Sequence, residues 1–242
     1  MRSKLLESQG LLTYISGKKF SMSYKKEGNK VKHYVLDMCN DLGSVPKMIY
    51  TGYQEHSLNI QYCDGENGED FVYGKIFYNT DGLITDKKQV ALLVKFADCS
   101  PVVLYDPKKG VLALVHSGWR GTAGKIAALA LDRMMVKDFS SSPEDVYAYI
   151  GPSIDQESYE VGPEVYQAFE GFAKRDDFFY TKGDKYHLDL LEANEAILLE
   201  GGLKKEKIEI CPVSTYRSKD FHSARRDGAD YGLNSMIVMM KD

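Results

Sequence analysis

Cys99 and His116 are the residues of this chain whose types and spacing most directly suggest chemistry. Cys99 sits in Ala97-Asp98-Cys99-Ser100-Pro101, and His116 begins His116-Ser117-Gly118-Trp119-Arg120-Gly121-Thr122. Between them, residues 102–105 and 111–115 are β-branched and apolar, and Asp106-Pro107-Lys108-Lys109-Gly110 has the composition of a turn. The stretch therefore reads as a hairpin. With Tyr105 facing Val111, His116 falls opposite Ser100 and Cys99 opposite Ser117, so a thiol and an imidazole meet at the hairpin's open end. Such a pair is either a metal half-site or a nucleophile with its base.

His56, in Tyr53-Gln54-Glu55-His56-Ser57, lies where one strand gives way to the next. With Cys99 and His116 it would complete a two-nitrogen, one-sulfur set that leaves a fourth position for water, the pattern of a catalytic zinc site. A metal there lowers the pKa of bound water toward about 7 and polarises substrate atoms. Spacing alone does not separate that role from a turn histidine. Past His116, a glycine-flanked segment with Arg120 runs into a helix, which suits an oxyanion such as phosphate. The competing reading pairs Arg120 with a carboxylate. Arg225-Arg226 is a second anion clamp or a solvated pair. Asn194 lies among Leu190, Leu191, Ile197 and Leu198 at helical spacing, so its amide must bond either backbone or a ligand. Asp81, in Thr80-Asp81-Gly82, caps a turn or accepts from a sugar hydroxyl.

The elements that must position these groups follow from periodicity and punctuation. Residues 29–42, closed by Gly43, read as a helix with Val31, Val35 and Met38 on one face. Strands are expected at 47–51, 57–62, 82–85 and 90–95, then the hairpin, then 146–150. Thr122 is expected to cap a helix running to about Lys137. Pro163 opens a short helix carrying Val165, Phe169 and Phe172, and residues 188–200 form another, stopped by Gly201-Gly202. Strands at 208–211 and 236–240 close the chain around a polar loop, 214–230. Strands cluster without alternating strictly with helices, so the fold class is α+β: one compact domain, 1–242, of mixed β-sheets flanked by helices. His33 and His187 read as surface histidines, with His222 undecided. Cys39, Cys63 and Cys211 read as small buried hydrophobes.

With 43% hydrophobic and 27% charged residues, the composition is that of an ordinary globular protein. The net charge of −4 argues against nucleic acid or an acidic membrane as partner. The four cysteines show no paired spacing, and neither a membrane-length apolar run nor a signal segment is evident, so a cytoplasmic protein is expected.

Taken together, these segments resemble the purine nucleoside phosphorylase/laccase-domain family, whose members were first labelled multicopper polyphenol oxidases. The resemblance rests on Thr80-Asp81-Gly82-Leu83-Ile84-Thr85, the Ala97–Pro107 and Val115–Thr122 stretches, Ile150-Gly151-Pro152, Tyr159-Glu160-Val161-Gly162-Pro163, Leu188-Asp189-Leu190 with Asn194, and Phe221-His222-Ser223 before Arg225-Arg226-Asp227-Gly228. It is colinear over roughly residues 48–240. It implies His56, Cys99 and His116 as a metal triad holding zinc, with copper as a substitute, and a fold like that of YfiH. It also implies phosphorolysis of adenosine or inosine, extending to methylthioadenosine, together with adenosine deamination. Purine nucleoside and phosphate are then the partners, and oligomeric state is left open. Cys99, His116 and Arg120 become the catalytic candidates, and Asp81, Asn194, Arg225 and Arg226 the substrate contacts. The chain departs from the family at Ser21–Gly28, where no Gly-Gly-rich segment is recognisable, at Glu55, and at Asp155–Ser158, which lacks a cysteine.

A multicopper oxidase would need on the order of ten imidazoles, and the chain has five histidines. The same residues also admit a metal-free hydrolase with Cys99 as nucleophile and His116 as base, a copper-binding polyphenol oxidase with a single copper in the triad, or a non-enzymatic small-molecule binder.

Overall fold

The computed structural model describes residues 1–136 and 139–241. In chain order its strands are β1 (Leu11–Ser16), β2 (Met48–Gly52), β3 (Ile60–Tyr62), β4 (Glu69–Phe71), β5 (Gly74–Phe77), β6 (Gly82–Thr85), β7 (Val90–Phe96), β8 (Ser100–Asp106), β9 (Val111–Ser117), β10 (Tyr147–Ile150), β11 (Glu160–Val161), β12 (Phe179–Lys182), β13 (Lys185–Leu188), β14 (Ile208–Ile210) and β15 (Asn234–Met240). They form a six-stranded sheet β1-β15-β7-β2-β5-β4, a second six-stranded sheet β14-β10-β8-β9-β6-β3, and a three-stranded sheet β11-β13-β12. Both large sheets mix parallel and antiparallel pairs. The helices are α1 (Lys4–Ser8), α2 (Tyr24–Glu27), α3 (Val31–Leu42), α4 (Trp119–Ala123), α5 (Ile126–Met135), α6 (Pro163–Ala168), α7 (Leu190–Glu200) and α8 (Ala224–Asp227), and α3, α5 and α7 cover the outer sheet faces.

The apolar runs in β7, β8 and β9 are continuous because both faces of each strand are buried. Leu92, Val94 and Phe96 of β7 meet Val103, Leu112 and Leu114 in a core between the two large sheets. Ala91 and Leu93 face the other way, onto Val31, Val35, Met38 and Leu42 of the helix α3 (Val31–Leu42). On the far side, Val102, Ala113 and Val115 pack on α5 (Ile126–Met135) and α7 (Leu190–Glu200). The result is four layers, helix–sheet–sheet–helix, with the residues of each strand sorted alternately into two cores. Gly43 ends α3 in the left-handed region, at φ 83°, and Asp189 caps α7 by accepting from the amides of Leu191 and Glu192.

Several local expectations shift. The helix after His116 begins at Trp119, not Thr122: α4 (Trp119–Ala123) starts directly off β9 with Gly118 at its N-cap, and Lys125, at φ 55°, separates it from α5. Thr122 is buried inside α4, where its hydroxyl donates to the Gly118 carbonyl and meets Ser117. The helix expected to reach Lys137 ends at Met135, and Lys137 itself lies outside the described residues. The strand expected over 57–62 is confined to its last three residues. His187 is not a surface residue. It sits on β13, stacked at 4.7 Å on Tyr180, with Nδ1 against the Gln156 carbonyl at 3.1 Å. The N-terminal strand β1, which completes the first sheet against β15, and the small third sheet had no counterpart in the sequence reading. Cys39, Cys63 and Cys211 are buried as expected.

At Gly52, the last residue of β2, a Cβ would overlap the carbonyl oxygen of Thr80, so the turn carrying Asp81 lies directly against this strand end. Gly52→Ala should force the two apart at a cost of about 1–3 kcal/mol. Urea denaturation should show a lowered midpoint with an unchanged slope, and an unaltered midpoint would mean that the turn yields freely.

Candidate metal centre and adjoining cavity

Cys99 immediately precedes β8, and His116 is the penultimate residue of β9. The hairpin pairs Asp106 with Val111, Pro101 with His116 and Ser100 with Ser117, one residue away from the expected register. The turn causes the shift. Asp106 Oδ1 accepts from the amides of Lys108 and Lys109, its carbonyl accepts from Gly110, and Gly110 takes φ 65°, so Asp106 belongs to the ladder and not to the loop. The difference has a chemical consequence, since a one-residue slip reverses the face of every side chain. In the expected register Cys99 and His116 would occupy opposite faces. In the observed one Cys99 extends the ladder opposite Gly118, on the same face as His116. A Cβ at Gly118 would lie 2.7 Å from Cys99 Sγ and 3.0 Å from His56 Cδ2. Glycine there leaves the room in which the three side chains converge.

Two carboxylates hold this arrangement. Asp98, at the uncommon φ of 83°, accepts on its side chain from Thr215 (2.7 Å), Ser223 (3.0 Å) and the Arg225 amide (2.7 Å). Its carbonyl accepts from Ser153 and the Ile154 amide, which sets the exit direction of Cys99. Asp81, fully buried, accepts through Oδ1 from His116 Nδ1 (2.9 Å) and the His56 amide, and through Oδ2 from the Glu55 amide, the Ser57 amide and the Ser57 hydroxyl. It thus shapes the turn on which His56 takes φ 60° and orients the second histidine. With Nδ1–H given to Asp81, Nε2 is the ligand atom of His116, and a metal binding there would displace its proton.

The ligand atoms of His56, Cys99 and His116 all lie within 4.8 Å of one another, and Cys99 Sγ is 3.8 Å from His56 Nε2. Burial alone would raise the Cys99 thiol, but the imidazoles of His116 and then His56 outweigh it and bring it down to about 6. Burial would lower His116, yet Cys99 and Asp81 carry it up to about 9. The sulfur is therefore a thiolate near neutrality. One thiolate and two imidazoles around a common space freed by Gly118 fit a single divalent metal.

The triad lines part of a cavity of about 470 Å³. Its walls are largely aromatic, including Tyr53, Phe71, Tyr73, Tyr78 and Tyr231, and residues Met22–Lys25 supply one side. Lys95 also lines it, a residue the sequence reading passed over although it alone interrupts the apolar run of β7 with a charge.

The other candidates are distributed differently. Asn194 is fully buried away from this cavity, accepting from Ser117 Oγ (2.9 Å) and donating to Thr122 Oγ1 (3.3 Å) and the Leu190 carbonyl (2.8 Å). Its amide ties α7 to α4 and β9. Arg226 is likewise consumed: its N–H groups go to Asp227 and to the carbonyls of Thr215, Tyr216, Ser218 and Phe221. That cage leaves no donor for an anion. Asp81 is fully buried and is not among the residues lining the cavity. Arg120 is exposed, with its guanidinium 4.2 Å from the centroid of the Trp119 ring, and Arg225 is exposed over Tyr159 while donating to the Ser158 and Glu160 carbonyls. Neither lines the cavity, but both act electrostatically on Tyr159, which also feels Cys99.

Residues 14–241 match the family described as multi-copper polyphenol oxidoreductase laccase, and the chain belongs to it. A protein of Bacteroides thetaiotaomicron named purine nucleoside phosphorylase is 36% identical over 217 residues, covering 85% of this chain and 78% of that protein. A protein named adenosine deaminase RL5, from an unknown prokaryotic organism, is 36% identical over 156 residues, covering 63% of this chain and 59% of the relative. The crystal structure of the hypothetical protein YfiH of Bacillus licheniformis matches with a TM-score of 0.87 at 26% identity, covering 97% of this chain and 94% of that one. The α+β architecture of mixed sheets is therefore that of its family. The chain is an enzyme, which removes the reading as a non-enzymatic binder.

Because Asp81 both orients His116 and shapes the turn of His56, Asp81→Asn should weaken metal binding by about 10- to 100-fold. Competition with a chromophoric chelator measures this directly. Wild-type affinity in a folded variant would show that the histidines are oriented without it.

Proposed function

We propose that this enzyme is a zinc-containing purine nucleoside phosphorylase acting on adenosine or inosine, with adenosine deamination as a second activity. Methylthioadenosine falls within the same substrate class. The observation that carries the reading is the convergence of His56, Cys99 and His116 on the wall of an aromatic cavity, in a chain whose relatives bear those two enzyme names. Thiolate with imidazole suits zinc, and also suits copper in its reduced state. Among the described residues this triad is the single close group of three such ligands, which supports one metal and not a multi-copper assembly.

In phosphorolysis a phosphate oxygen bonds to the anomeric carbon while the bond to the purine nitrogen breaks and its electron pair leaves with the base. The aromatic walls offer flat surfaces for that base. Asp81 keeps the proton on His116 Nδ1, and Asp98 fixes Cys99 beside it. Arg120 and Arg225, both exposed and both acting on Tyr159 beside Cys99, are the guanidiniums available to bring in phosphate. A divalent metal, when held by the triad, supplies Lewis-acid polarisation and acidifies water, which amino-group hydrolysis requires. All four cysteines are free thiols, which fits work in the reducing cytoplasm.

The lowered thiol of Cys99 beside a raised His116 also favours a second reading, a metal-free cysteine hydrolase. One preparation separates them. Protein purified without a metal-binding tag should carry close to one zinc per chain, and Cys99→Ala should abolish it. The zinc-loaded enzyme should release free base and ribose 1-phosphate from adenosine or inosine only when phosphate is present, as chromatography of the products would reveal. Base release independent of phosphate would sink the phosphorylase reading, and full activity in metal-free protein would favour the hydrolase.

A further inference from the structure

Lys95 is a lysine built into a sheet. The rest of β7 is apolar, and Lys95 follows Ala91 and Leu93 on the face turned toward α3, at the point where that core opens into the cavity. Its backbone is clamped: the amide donates to Gln54 Oε1 (2.9 Å) and the carbonyl accepts from Gln54 Nε2 (2.7 Å). Its side chain is clamped as well, donating from Nζ to Thr51 Oγ1 (2.8 Å) and to the Gly52 carbonyl (2.7 Å). An ammonium has three donors and no acceptor. Among the described residues these two are its partners, so one N–H remains, held in place by the others and available to whatever fills the cavity.

The cavity that Lys95 lines has flat aromatic walls, with Tyr53, Tyr73 and Tyr78 among them. Aromatic faces hold any base, because every base has a π-face. Distinguishing one purine from another requires a hydrogen-bonding group at the base edge. A 6-oxopurine presents two adjacent acceptors there, O6 and N7, whereas adenine presents the N7 acceptor beside an amino donor. We infer that Lys95 reads the six-position of the purine and makes the cavity favour 6-oxopurines over 6-aminopurines, an inference that rests on the nucleoside reading above. Burial lowers the ammonium to about 8, with Asp81 opposing, so it remains protonated and donor-only at neutral pH. A phosphate is a poorer match, because its several oxygens call for several converging donors and Lys95 has one to give. The preference would also order the two activities, since deamination of adenosine yields the 6-oxo nucleoside that Lys95 favours.

The test is direct binding of free bases to the metal-loaded protein by calorimetry, with nucleoside turnover as a separate readout. The wild type should hold hypoxanthine about 10- to 100-fold more tightly than adenine. Lys95→Met should bring the two within about threefold of each other, chiefly by weakening hypoxanthine. Should that variant fail to fold, the wild type alone still decides: unsubstituted purine, which lacks the O6 acceptor, should bind about tenfold more weakly than hypoxanthine. Equal affinity of the wild type for hypoxanthine and adenine overturns the inference, as does a preference that survives in Lys95→Met. A raised phosphate requirement with base preference intact would also overturn it, reassigning Lys95 to the phosphate. Failure of the enzyme to release base from any nucleoside would instead sink the phosphorylase reading, while the base affinities would still judge Lys95.

Discussion

The Asp81 carboxylate connects three stretches of chain through one buried group: the His56 turn, the end of β9, and its own position just before β6. Burial disfavours its charge, but His116 and the Ser57 amide and hydroxyl favour it more, and its pKa falls below the usual carboxylate range. An ionised carboxylate without those donors would be costly in the same place, because an unpaired buried charge loses its hydration without replacement. The turn and the histidine are therefore bound to adopt the geometry that satisfies it. The triad of His56, Cys99 and His116 inherits its shape from that requirement.

Cys99 is held by a parallel device. Asp98 sits in the left-handed region, which a non-glycine residue occupies at a cost, and five donors from Ser153, Ile154, Thr215, Ser223 and Arg225 stabilise it there. The Arg226 cage and the Ser223 cap organise the loop that presents three of those donors, from Thr215, Ser223 and Arg225. Residues with the look of an anion clamp thus act on the site at one remove, by shaping the backbone that positions the thiolate. Asn194 does the same for the start of α4. Each is a polar group whose capacity is spent inside the protein, and such groups rigidify a fold when every member is satisfied.

The cavity joins a hard electrostatic corner to a soft aromatic chamber. At the corner, a thiolate and two imidazoles converge on the space left by Gly118. Along the chamber, tyrosines and phenylalanines offer area without directionality, and Lys95 supplies a directed donor. Residues Met22–Lys25 supply a further wall from a stretch of chain distant in sequence from the triad.

Much was legible in the sequence because it depends on neighbours along the chain. Continuous β-branched runs marked the strands, Gly43 and Gly201-Gly202 marked helix ends, and the apolar settings of Cys39, Cys63 and Cys211 foretold their burial. Cys99 and His116 stood out because one hairpin brings them together, and the likeness to a known family supplied His56. What the sequence could not decide was set by groups far apart in it. The true hairpin register turned on whether Asp106 served the ladder or the loop, and only that register puts thiol and imidazole on one face. His187 looked exposed until Tyr180 and Gln156 covered it. Arg226, Asn194 and Lys95 took their roles from partners on other elements. Local periodicity reports which face of a strand or helix is apolar; whether a polar side chain on it is spent on the protein or left for a ligand depends on the donors and acceptors that tertiary packing brings alongside.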